Sequence, residues 1–242
     1  MTSSDSRTLP YRGQSLADQV MNYVRHAVLT GEMKTGQLYS VHQLAELLGV
    51  SRSPVRQGLL NLEEAGLIEF SRNRGFRVVS TSPHDMAEIF SLRLAIEVPA
   101  AQRAARACTE ELATGMDTLE ARMQVASEDD AEELFFSLDH QLHELIMGAA
   151  RSHRGREIVS RLRGATRMQG VSTAGKERTL QDILAEHTPV IEAIKSGQAE
   201  EAATAMRRHL TTTGQLLVAQ AIDDQGMDLD ADELWRDYTE DY

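Results

Sequence analysis

The chain has 242 residues, 41% of them hydrophobic and 26% charged, with a formal net charge of −12; that is enough for two small domains and too balanced for wholesale disorder. One cysteine, Cys108, rules out an internal disulfide and fits a reducing compartment, and no run approaches the roughly 20 apolar residues that span a bilayer, so a cytoplasmic protein with no membrane partner is expected. The charge is uneven: residues 1–80 hold 9 Lys/Arg and 7 Asp/Glu, whereas 81–242 hold 16 and 30, which would confine contact with nucleic acid to the N-terminal end.

The first dozen residues are polar, lack the apolar run of a signal peptide, and read as loose. From Ser15, an N-cap candidate, Leu16, Val20, Val24, Ala27 and Val28 recur at helical spacing as far as Gly31. A loop through Lys34 leads to a second helix after Ser40, with Leu44, Leu47 and Leu48, that stops at Gly49. A third is expected after Ser51, through Val55, Leu59, Leu60 and Leu62 to Gly66. Two short strands follow, Leu67–Phe70 and Phe76–Val79, joined by a polar loop in which Gly75 suits unusual backbone angles. Three helices and a hairpin over residues 12–80 make a winged helix-turn-helix pattern.

Beyond Pro83 the strand signals vanish, and helices are expected over about 84–108, 109–126, 129–150, 153–170, 177–196 and 198–223, with Pro99 and Pro189 inside two of them as kink positions. The fold class is thus mainly α: an N-terminal winged helix-turn-helix, an all-helical bundle over 84–223, and an acidic stretch over 224–242 that reads as a tail or a short peripheral helix.

Two sets of residues carry chemistry. In the first, Leu48-Gly49-Val50-Ser51 supplies the tight turn that a reading helix needs to enter a major groove. Arg52 and Arg56 then stand four apart on one helical face, suited to bidentate contact with guanine or phosphate. Ser51 and Ser53 suit phosphate oxygens at a helix start, and Arg72, Arg74 and Arg77 surround Gly75 in the wing. In the second set, Asp139 and His143 share the apolar face of Phe135, Leu142, Ile146 and Ala150; His187 joins Ile183, Val190, Ile191 and Ile194; His209 falls among Ala202, Met206, Leu216 and Leu217. Singly, each histidine reads as a hydrogen-bonded core residue. Together, one carboxylate and three imidazoles turned into one bundle need common partners, and a divalent metal satisfies them: zinc first, with nickel, iron or manganese as alternatives.

Residues 44–79, LAELLGVSRSPVRQGLLNLEEAGLIEFSRNRGFRVV, resemble the winged helix-turn-helix of the GntR family of bacterial transcription regulators. LRLAIEVPAAQRAA, LDHQLHELIMGAA and EHTPVIEAIKSGQAEEAATAMRRHL resemble successive stretches of its FadR-type, or FCD, effector domain. The resemblance implies that Arg52 and Arg56 read operator bases, that Gly75 and its neighbours form the wing, and that a third contact aligns with His42. Gln57-Gly58 stands where the family usually has Glu-Ala. It also implies that Asp139, His143, His187 and His209 hold a metal ion and that Arg93 meets a ligand carboxylate, while His140 and His153 match no ligand position. The expected protein is a homodimeric repressor that binds double-stranded operator DNA and a small organic acid. Two other functions fit parts of this pattern. A metal-dependent hydrolase fused to a DNA-binding arm lacks a general base at an obvious spacing, since Glu144 and Glu186 are adjacent to ligands and should face elsewhere. A DNA-binding adaptor with a purely structural metal would sense nothing.

Overall fold

The computed structural model describes residues 15–240 apart from residues 65, 73, 80, 168–172 and 176–177. The expectation of a loose N-terminal dozen therefore lies outside the described residues. Two compact units emerge, the first running to Thr81 and taking in the chain from Gly164, the second made of Ser82–Arg163 and the chain beyond Gly170.

In the first unit α1 (Leu16–Leu29) begins on a reciprocal cap: the Ser15 hydroxyl accepts the Asp18 amide hydrogen, and the Asp18 carboxylate accepts the Ser15 amide hydrogen in return. α2 (Val41–Leu48) starts from Ser40 and ends on left-handed Gly49, and α3 (Arg52–Glu64) follows at once. Val20, Val24, Leu44, Leu48, Val55, Leu59 and Leu62 form the core. A Cβ on Gly58 would stand 2.7 Å from the Ala17 carbonyl oxygen. The departure from the usual alanine there is a packing requirement: α3 lies against α1 with no room for a methyl group.

Strands β1 (Leu38–Tyr39), β2 (Ile68–Ser71) and β3 (Gly75–Val78) form an antiparallel sheet in the order β1-β3-β2. The loop expected through Lys34 ends in β1, which at two residues is too short for a period-2 pattern to register. β1 explains Gly75, which has φ +125° and whose Cβ would meet the Tyr39 carbonyl oxygen at 1.9 Å.

In the second unit α4 (Pro83–Arg106) is opened by Ser82 and Asp85 as a capping box with Pro83 in its first turn. It is followed by α5 (Glu110–Glu128), α6 (Glu132–Ala149), α7 (His153–Arg167), α8 (Leu180–Lys195) and α9 (Ala199–Gln225). Both α4 and α8 run on through their prolines, Pro99 and Pro189. α9 ends on left-handed Gly226. The acidic terminal stretch does more than trail: it contains α10 (Ala231–Thr239), capped by Asp230, with Leu234 and Trp235 buried in the bundle core. The Trp235 ring lies 6.2 Å from that of Phe90 and over Gly214, where a Cβ would come within 2.3 Å of the indole. No helix among the described residues is long and apolar enough to cross a membrane.

These contacts make α10 part of the fold. Trp235→Ala is expected to destabilise the protein by about 3–5 kcal/mol, and Gly214→Ala by about 1–3 kcal/mol through overpacking, both read as a lower denaturation midpoint. A Trp235→Ala protein as stable as wild type would show α10 to be a peripheral helix.

Candidate functional site

Three helices of the second unit meet at a buried polar cluster. Asp139 and His143 stand one turn apart on α6, His187 on α8 and His209 on α9, all four buried. One ligand atom from each lies within 4.8 Å of the others, a spacing at which the four could hold a single metal ion. The His187 and His209 ring centroids are 4.2 Å apart, and His143 stands 5.6 and 5.4 Å from them.

The outer edge of each imidazole is occupied. His143 Nδ1 is hydrogen-bonded to Glu97 Oε2, His187 Nδ1 donates to the Ile183 carbonyl at 2.8 Å, and His209 Nδ1 lies 3.1 Å from Glu186 Oε2. A main-chain carbonyl only accepts, so the His187 proton is on Nδ1; the two carboxylates fix the same tautomer in the other rings. Every Nε2 lone pair is thereby left facing the cluster. His143 Nε2 and His187 Nε2 are buried without a hydrogen-bond partner. His187 Nε2 nevertheless sits 2.8 Å from Asp139 Oδ1. Two acceptors at that distance repel unless a cation lies between them. Orphaned lone pairs, a carboxylate oxygen and second partners on every ring are the features of a transition-metal site, and the residues fit one.

Electrostatics hold the set ready. Burial depresses His143, which the nearby Arg163 lowers further and Glu97 counteracts, to about 4. Burial and the neighbouring imidazoles push His209 well below its ordinary range. Burial alone would raise Asp139, but the Arg163 guanidinium, paired to Oδ2, leads the interactions that hold it well below the usual carboxylate range. Glu97 is likewise kept ionised against burial by Arg93 and His143.

Arg93 on α4 is buried beside this shell. Its Nε donates to Glu97 Oε1 at 2.6 Å, while Nη2 is buried with no partner. A donor left in that state costs about 1–3 kcal/mol. Glu97 and Arg163 carry no signal of this role in the sequence. Glu186 turns away from the histidine beside it, as expected, and towards His209 on the neighbouring helix, a partner that spacing does not reveal; its other oxygen accepts from Arg178, which also reaches Thr213 at 3.0 Å. Glu144 is half exposed, as expected. His153 is exposed, and His140 lies 3.8 Å from Glu144, away from the cluster.

In the first unit Ser51, Arg52, Ser53 and Arg56 are all exposed at the start of α3, and Arg72, Arg74 and Arg77 are exposed on the wing around Gly75, whose Asn73 lies outside the described residues. Arg56 is held 5.6 Å over the Phe70 ring. His42 is exposed on α2 with Glu46 at 3.4 Å, a carboxylate that competes with any anion for the imidazole.

Residues 16–78 match the model of the bacterial regulatory proteins of the gntR family, and residues 88–212 match that of the FCD domain. A probable D-xylose utilization operon transcriptional repressor of Paenarthrobacter nicotinovorans is 26% identical over 81% of this chain and 86% of its own length. An uncharacterized HTH-type transcriptional regulator of Streptomyces ambofaciens is 30% identical over 77% of this chain and 78% of its own. Among solved structures, Escherichia coli McbR/YncC matches with a TM-score of 0.70 at 22% identity over 86% of this chain and 99% of that one.

Substituting the inner ligand and the outer carboxylate should separate their roles. His187→Ala is expected to take bound zinc well below one equivalent by elemental analysis. Glu186→Gln should keep the stoichiometry and weaken affinity about 10- to 100-fold in a chelator competition. Unchanged zinc content in His187→Ala would remove the site.

Proposed function

Because this chain belongs to the gntR family of bacterial regulatory proteins and carries an FCD domain, we propose that it represses transcription from operator DNA and is released by a small organic acid bound at the His/Asp cluster. It is a transcription regulator; its relatives and its fold are those of regulators, not of enzymes. Repression is the mode named for the relative from P. nicotinovorans.

One observation carries the sensing half: four ligand atoms gathered within 4.8 Å with the outer nitrogen of each imidazole already engaged. Zinc suits three imidazoles and a carboxylate best among divalent ions. When bound, it supplies open coordination positions for an acid's oxygen atoms. Arg93 Nη2, buried and unpaired, would give that acid a charge-assisted hydrogen bond. In the reader, Arg52 and Arg56 take the base contacts, Ser51 and Ser53 the phosphates, and the wing residues Arg72, Arg74 and Gly75 the adjacent groove or backbone. His42, with Glu46 beside it, is the least suited of the set. A homodimer matches a two-fold operator. The acid acts only as far as it prefers the arrangement with lower operator affinity.

A panel of organic acids should raise the melting temperature of the zinc-loaded protein, by an amount equivalent to about 2.7 kcal/mol at a hundred times the dissociation constant, and the same acids should release operator DNA. A metal that is structural only would give no shift with any of them. Arg52→Ala and Arg56→Ala should each cost about 1–3 kcal/mol of specific operator binding without lowering the melting temperature, since both side chains are exposed. Sedimentation should show a dimer at micromolar concentration.

A further inference from the structure

We infer that the acid recognised by this bundle is doubly charged, a dicarboxylate, with one carboxylate at the metal and the other on Arg93 Nη2. This rests on the preceding reading that the cluster binds a metal and an organic acid, and it narrows that acid to one charge class.

Buried charge favours a dianion. Around the cluster stand two guanidinium groups, Arg93 and Arg163, and two carboxylates, Glu97 and Asp139, matched in pairs: Arg93 on Glu97 Oε1 at 2.6 Å and Arg163 on Asp139 Oδ2. Arginine stays protonated in proteins, and each guanidinium is matched by the carboxylate it is paired with. The Glu186–Arg178 pair beyond His209 is balanced in itself. Imidazoles that ligate through a lone pair are neutral. Among the described residues the shell therefore cancels, and a divalent cation adds two positive charges that no other buried group of these offsets. Uncompensated charge in a site this enclosed is costly, with Arg93 and Glu97 only 4% and 1% exposed. A monocarboxylate leaves one of those charges standing; a dicarboxylate leaves none.

Geometry agrees with the count. Asp139 presents Oδ1 to His187 and His143, at 2.8 and 3.7 Å, and gives Oδ2 to Arg163. Its single negative charge is thus shared between the ligand set and a guanidinium. Glu97 is divided in the same way, with Oε1 on Arg93 and Oε2 on His143. Glu97 therefore has no oxygen left for an incoming ion, and Asp139 has only Oδ1, its other oxygen being held by Arg163. Among the described residues, the one buried donor of the shell without an acceptor is Arg93 Nη2. An anionic group that reaches it completes the hydrogen bonding of α4 and the charge balance together.

The test compares matched acids on the zinc-loaded full-length protein by calorimetry: succinate with butyrate, glutarate with pentanoate, and 2-hydroxybutanedioate with 2-hydroxybutanoate. At least one dicarboxylate should bind roughly 10- to 100-fold more tightly than its monocarboxylate partner, the worth of a hydrogen bond to a charged group. In Arg93→Gln that ratio should collapse towards one while zinc content stays at the wild-type level. Monocarboxylates binding as tightly as their partners, or a ratio that survives in Arg93→Gln, would overturn the dianion while leaving an acid sensor intact. Binding of none of the six to zinc-loaded protein overturns the dianion proposal. If a wider acid panel is also silent, the sensing function falls with it.

Discussion

Three histidines of this bundle are turned inward because something else holds their outer edge. Glu97, the Ile183 carbonyl and Glu186 each engage an Nδ1 atom, from α4, from one turn earlier on α8 and from α8 across to α9. With that edge committed, the lone pair of each Nε2 has one direction left, and it is the same point for all three. Positions and tautomers are thus decided together. The cluster is a set of acceptors facing acceptors, an arrangement that is unfavourable in an apolar core and becomes favourable only around a cation.

The same constraint ties the helices to one another. α4 reaches the cluster through Glu97 and Arg93, α6 through Asp139 and His143, α7 through Arg163, α8 through His187 and Glu186, and α9 through His209. The hydrocarbon around them, from Leu138, Leu142, Val190, Met206 and Leu210, would accept small rotations of any helix at modest cost. The polar shell does not, because its hydrogen bonds are directional and its members are buried. Five helices therefore share one reference point, and a change in what occupies that point acts on all of them.

Much of this was legible in the sequence. Asp139 and His143 fall on an apolar face by simple helical spacing, and His187 and His209 interrupt apolar faces of their own; a polar residue where the pattern demands hydrocarbon is a signal in itself. The reader was equally plain, because a turn, a cap, two arginines and a glycine in a basic loop sit within 35 residues of one another. What spacing could not show was the outer shell. Glu186 is next to His187, so periodicity turns it away from that residue's face, and only the placement of α9 makes it the partner of His209. Arg163 lies on α7, a helix whose arginines give no hint of which one is buried. β1 has two residues, and α10 hides Leu234 and Trp235 among seven acidic residues between 228 and 242. Such features depend on what another element brings alongside.

Gly58 and Gly214 show a different kind of information, steric and long-range, each position kept bare so that a neighbour can approach: Ala17 in one unit, Trp235 in the other. The second case has a practical corollary. Trp235 is the chain's sole tryptophan, and it is wedged against α9, the helix that carries His209, and against Phe90, one turn from Arg93 on α4. Indole emission from this protein therefore originates entirely in the effector bundle, with no contribution from the DNA reader, so the native chain carries its own optical probe for movement between the two helices that flank the cluster.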